Sequence, residues 1–180
     1  MKKLKDFLWP LFFFCLGTIS ISGQTVLLRE ITTLFFGNEI FYGIGLGVWL
    51  LWVGLGAMLT RCKLRENRAN FLRMTLGILF LGLPVLVILL RLLVARMILA
   101  GGLAGFGFSF LILSLFLFVF CFPLGVEFVC GCLFWQKETK KNVVNRAYFW
   151  ETIGFAFGGL LFSFFLATTS FPFTPEVNRM

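Results

Sequence analysis

Leu103-Ala-Gly-Phe-Gly-Phe-Ser-Phe-Leu-Ile-Leu-Ser-Leu-Phe-Leu-Phe-Val-Phe-Cys-Phe-Pro-Leu124 carries no charged side chain. At about 1.5 Å per residue, a helix over these positions covers the roughly 30 Å hydrocarbon core of a bilayer. Comparable stretches lie near residues 7–28, 39–60, 74–93 and 146–169. The composition agrees. Of 180 residues, 59% are hydrophobic and 13% charged, with a mean hydropathy of +0.97. A soluble domain carries roughly 25% charge and about 45–50% apolar residues. This 20.5 kDa chain therefore has more apolar surface than one globule can hide. The expected fold is all-α: a polytopic transmembrane helical bundle over 1–170 with about five spans. A sixth, interfacial or missing, is left open, and 171–180 reads as a tail or truncated linker.

The same numbers exclude a soluble enzyme, a disordered tail and a secreted disulfide scaffold. There is no His, and the only Asp is Asp6. Net charge is +8, but the basic residues sit in clusters between apolar stretches, which is a topology signal and not a nucleic-acid face. Lys2, Lys3 and Lys5 precede the first span. Arg61, Lys63, Arg65, Arg68 and Arg73 follow the second, and Lys137, Lys140, Lys141 and Arg146 follow the fourth. These fall on one side of a five-span chain, against Arg29, Arg91, Arg96 and Arg179 on the other. The positive-inside rule puts the N-terminus in the cytoplasm of a cell with an inner membrane. Arg91 and Arg96 are then outside, either snorkelling from a tilted third helix or in an interfacial segment before Gly101. The apolar run after Met1-Lys-Lys-Leu-Lys5 continues through Val26 and Leu28, which favours an uncleaved helix over a signal peptide.

The five cysteines, Cys15, Cys62, Cys121, Cys130 and Cys132, form no paired CxxC motif, so neither a disulfide framework nor a metal site is expected. No phosphate loop, GxSxG, HExxH or dinucleotide unit is present, and the chain offers no catalytic residue and no cofactor site. Helices in lipid associate through small residues. Gly43, Gly47 and Gly54 on the second span, and Gly154 and Gly158 on the fifth, are the expected packing strips, within the chain or between two copies. Pro84 is expected to kink the third span, and Pro123 to end the fourth or bend its inner end. Trp9, Trp135 and Trp150 suit an interfacial belt, whereas Trp49 and Trp52 lie too deep and are expected between helices.

Ionisable groups near or inside spans are functional candidates by default. Arg29 and Glu30 close the first span, and Asn38 and Glu39 open the second, which suggests a polar cluster at the outer mouth. Glu127 follows Pro123-Leu-Gly125, and Glu151 stands five residues after Arg146. A carboxylate at that depth either carries a proton or takes a cation such as Arg146. Interfacial anchoring and interhelical hydrogen bonding are the competing roles for all seven residues.

Two stretches carry a family resemblance. Gly23-Gln-Thr-Val-Leu-Leu-Arg-Glu-Ile-Thr-Thr-Leu-Phe-Phe-Gly-Asn-Glu39, running into the glycine-rich second span, resembles the opening of membrane-bound spermidine-synthase-like proteins. Arg146-Ala-Tyr-Phe-Trp-Glu-Thr-Ile-Gly-Phe-Ala-Phe-Gly-Gly-Leu-Leu-Phe-Ser-Phe164 is similar to a later helix of that family, and Pro123-Leu-Gly-Val-Glu-Phe128 to the motif before it. The resemblance implies a membrane region preceding a cytosolic Rossmann-like, aminopropyltransferase-like domain with a Gly-Gly-Gly-Asp-Gly-type loop and an essential Asp. Neither feature occurs in these residues, so polyamine synthesis would lie elsewhere. The leading expectation is thus a non-catalytic membrane module that anchors or serves such a transferase domain. The alternatives are a transporter or half-transporter of the major-facilitator kind for a small, cationic solute, or a structural subunit of a membrane complex. Expected partners are the lipid bilayer and either the transferase domain or a second copy, with no nucleic acid.

Overall fold

The computed structural model describes residues 2–34, 39–63, 77, 79, 81–89, 91–92, 106–140 and 142–168. Its helices are α1 (Lys2–Leu34), α2 (Glu39–Lys63), α3 (81–89, with 77, 79, 91 and 92 also helical), α4 (Phe106–Thr139) and α5 (Val144–Thr168). No strand occurs among the described residues. Three helices are long and apolar enough to cross a membrane, over Phe7–Thr32, Glu39–Thr60 and Phe110–Thr139. The expected tail, 171–180, lies outside the described residues, as does the whole stretch from 93 to 105, Arg96 included.

The fourth element corrects the expected end near residue 124. Pro123 sits inside α4, and the helix runs on to Thr139. Proline removes one backbone donor from the ladder, but α2 clamps α4 on both sides of it. Gly56 lies against the backbone of Phe122 and Val126, and Gly125 against Val53 and Ala57. The apolar part of α4 alone is about 45 Å long at 1.5 Å per residue, more than the core of a bilayer. It either tilts or carries its Lys137 end out of the lipid.

Local chemistry ends α4. Lys140 adopts a left-handed backbone with φ 55°, and its N–H donates to the carbonyl of Gln136 at 2.8 Å. That is the αL way of satisfying a helix's last carbonyls. The Asn142 side-chain oxygen then accepts the Val144 N–H at 3.2 Å, and α5 begins.

The contacts set the directions of the helices. Phe14 meets Gly154, Thr18 meets Gly154 and Gly158, and Ile21 meets Gly158, so α1 and α5 run parallel. Trp52 meets Ser114 and Phe118, and Gly56 meets Phe122 and Val126, so α2 and α4 are parallel too. Between α1 and α4 one index falls as the other rises: Gly23 with Phe120, Phe13 with Phe128 and Gly131, and Trp9 with Glu138. That pair is antiparallel. Since α2 and α4 point the same way, the chain between them must travel back along the bundle. The α3 residues Leu79 and Leu86 are buried in the common core, and Arg91 reaches Glu30 near the far end of α1.

Candidate functional site

Two polar features stand out, one at the end of α1 and one in the interior. At the first, Glu30 is buried and receives a fork from Arg91. The guanidinium Nε donates to one carboxylate oxygen at 2.7 Å and a terminal nitrogen to the other at 2.5 Å. Two parallel charge-assisted bonds fix both position and orientation. The Arg91 side chain is 64% exposed and that of Glu30 only 11%, so the pair caps the bundle end with its cation outward.

On the opposite face of this end of α1 is an open cleft of about 430 Å³. Gln24, Thr25, Arg29 and Thr32 of α1 line it together with Tyr42 of α2. Thr25 and Thr32 spend their hydroxyl protons on the carbonyls of Ile21 and Leu28, one turn back. Their oxygens remain as acceptors on the cleft wall. Glu39 is exposed at the start of α2, and Asn38 lies outside the described residues. Of these residues, Glu30 and Arg91 are brought together, while Arg29 lines the cleft. The cation that holds Glu30 comes from α3, and that long-range pairing left no local signal in the sequence.

The interior feature is Glu127. It is fully buried, and neither carboxylate oxygen has a hydrogen-bond partner. Phe120, Leu124, Glu127, Gly131 and Glu138 fall on one face of α4 by the 3.6-residue period. Contacts of that face with α1 at Gly23 and Phe13 bracket Glu127 and set it level with Leu16 and Gly17. On the other side of α1, the Glu151 carbonyl lies against Gly17. The two glutamates thus share a depth along the bundle.

Glu151 is half-buried and within electrostatic range of Cys132. Arg146, the cation offered as one alternative to a protonated Glu151, is exposed and forms no ion pair with it. Five residues along a helix turn through about 140°, which sends the two side chains to different faces. Among the described residues no group of His, Cys, Asp and Glu is placed to hold a metal.

The packing glycines divide. Gly154 and Gly158 sit against α1, where a Cβ at Gly154 would strike the Phe14 carbonyl oxygen. The Thr18 hydroxyl adds a bond of 3.1 Å to the Gly154 carbonyl, across the pair. Gly43, Gly47 and Gly54 face nothing within 4 Å among the described residues, and α2 makes its close approaches at Gly45 and Gly56 instead. The sequence shows the spacing of α2's glycines but not which way that face turns. Trp49 is buried against Phe120, and Trp52 donates its Nε1–H to the Ser114 carbonyl at 3.0 Å. Trp135 is also buried, packed on Phe13, whereas Trp9 bonds Glu138 where α1 begins.

No family model, no curated protein and no solved structure matches this chain.

Proposed function

We propose that the chain is a five-span inner-membrane module of the spermidine-synthase-like kind, non-catalytic in itself, which holds a Rossmann-like transferase domain at the membrane. The observation that carries this reading is where the resembling residues lie. Gly23, Glu30, Gly125, Glu127, Gly154 and Gly158 all come from the three resembling stretches. They make the close helix approaches, the Arg91 fork and the buried carboxylate. A motif spent on a bundle's close contacts is what a conserved-architecture anchor requires, because each of those positions tolerates few side chains. The parallel pairs α1–α5 and α2–α4 support an odd number of crossings, with α3 and α5 as spans beside the three apolar helices. The basic clusters at 61–73 and 137–146 then face the cytoplasm with the N-terminus.

Native membranes test this with an antibody against the 61–70 loop. Expected is a band well above 20.5 kDa, with transfer of an aminopropyl group to a diamine in the immunoprecipitate. A precipitate that holds the intact chain and performs no such transfer overturns the reading.

Transport is the second reading, and the unpartnered carboxylate of Glu127 is what favours it. Glu127 would then couple proton uptake to the passage of a small solute elsewhere in the bundle. Replacing Glu127 and Glu151 with Gln should then abolish uptake into vesicles without changing assembly, and unchanged uptake rejects transport.

A further inference from the structure

We propose that Glu127 is a proton-binding site in the interior of the bundle, and that its ligand is a proton and neither a metal ion nor an organic cation. The inference rests on reading α4 as a membrane span, and it stands whether or not a transferase domain is attached.

The first ground is the absence of a counter-group. Both oxygens of Glu127 are buried without a hydrogen bond. The groups packed around them are specific. From α1, Phe13, Leu16, Gly17 and Ser20 lie at that depth, and none is ionisable. From α2, Trp49, Val53 and Gly56 face α4, again without charge. From α3, Leu79 and Leu86 enter the core, and Arg91 is committed to Glu30. From α5 the titratable groups are Arg146, which is exposed, Tyr148, tilted against Phe128, and Glu151, which is itself acidic. On α4 itself the neighbours are Cys121, Cys130 and Cys132. No described cation faces Glu127. A bare carboxylate there would forfeit its hydration with nothing in return, at a cost of several kcal/mol or more.

Space narrows the choice of ligand. The seam between α1 and α4 is filled on both sides of Glu127. The Phe120 ring occupies the place of a Gly23 side chain, and the Phe12 and Phe13 rings occupy that of Gly131. An organic ammonium has no room between those rings. A metal ion would want about six oxygens, and the described surroundings hold no such donor cluster. A proton needs no volume and one carboxylate oxygen. Binding adds H⁺ to that oxygen and returns a neutral acid, with no other bond made or broken. Because the rings close the seam, the proton exchanges with water only when α1 and α4 part.

Infrared spectroscopy tests the assignment on the full chain in lipid bilayers at neutral pH, with glutamate ¹³C-labelled at its side-chain carboxyl. The wild type should show a neutral-acid carbonyl band, and Glu127→Gln should remove intensity equal to one carboxyl from it. Glu39→Gln and Glu138→Gln, both at exposed positions, should leave that band intact. If Glu127→Gln removes only carboxylate intensity, the proposal fails. It fails equally if the neutral-acid band appears only after sodium and potassium are withdrawn, since a bound cation was then the ligand. Should Glu127→Gln not assemble, Glu127→Asp serves: a shifted neutral-acid band supports the site, and its conversion to carboxylate overturns it.

Discussion

Substituting Gly154 with Ala places a methyl group on the carbonyl oxygen of Phe14. That oxygen belongs to the backbone of α1, so no side chain can swing aside and the two helices must separate. Overpacking a close contact costs about 1–3 kcal/mol. Separation also breaks the longer branch of the Thr18 hydroxyl's shared bond, to Gly154, which adds at most about 0.6 kcal/mol by the average for interhelical bonds in membranes. Against this, Ala is a better helix former than Gly by about 1 kcal/mol. The balance is a loss of about 0.5–2.5 kcal/mol. Gly17→Ala meets the Glu151 carbonyl from the other side of the same seam and should cost a similar amount. The double variant should cost less than the sum, because one separation relieves both clashes. Gly43→Ala and Gly47→Ala meet nothing within 4 Å among the described residues, and keep only the helix gain. Denaturant titration in mixed micelles reads all five variants. If Gly43→Ala destabilises as much as Gly154→Ala, the parallel α1–α5 contact is not where the bundle is held.

The Glu30–Arg91 fork should show a coupling of about 1 kcal/mol in a double-mutant cycle with Glu30→Gln and Arg91→Gln, modest because the guanidinium is mostly exposed. Zero coupling would remove α3 from the end of α1. Trp52→Phe should cost about 1 kcal/mol through its lost indole bond. Ser114→Ala should cost less, since the backbone carbonyl at 3.0 Å remains after the hydroxyl at 3.2 Å has gone. Equal losses would mean that the hydroxyl is the true acceptor. Lys140→Gly should stabilise by about 1 kcal/mol, because a side chain at φ 55° carries the left-handed penalty. A lower melting temperature for that variant would refute the αL end of α4.

Period and composition carry information about one helix at a time, and the structure departs from the sequence where two helices are involved. The apolar run 39–60 needed only length and hydropathy, and Glu39–Thr60 is one of the three helices fit to cross. Trp49 and Trp52 were legible as interior residues because depth along a span can be counted from its charged ends. Pro123 was not, since its cost is offset by contacts from residues 53–57, about seventy positions away. The same distance hides the partner of Glu30, 61 residues off. Glycine spacing marks a flat strip on α2 and another on α5 with equal clarity, but only the facing helix decides which strip is used. Glu127 is the sharpest case. Its position four residues after Pro123 marks it as costly, and the sequence leaves open whether it carries a proton or takes a cation. The fold instead surrounds it with Phe120, Leu124 and Gly131 on its own face and with α1 residues that have no charge to offer. An acid kept at that depth without a counter-charge is hard to explain as an anchor, because Gln or Leu would fill the same volume at lower cost. The argument for retaining a carboxyl there is the proton it can take up and release.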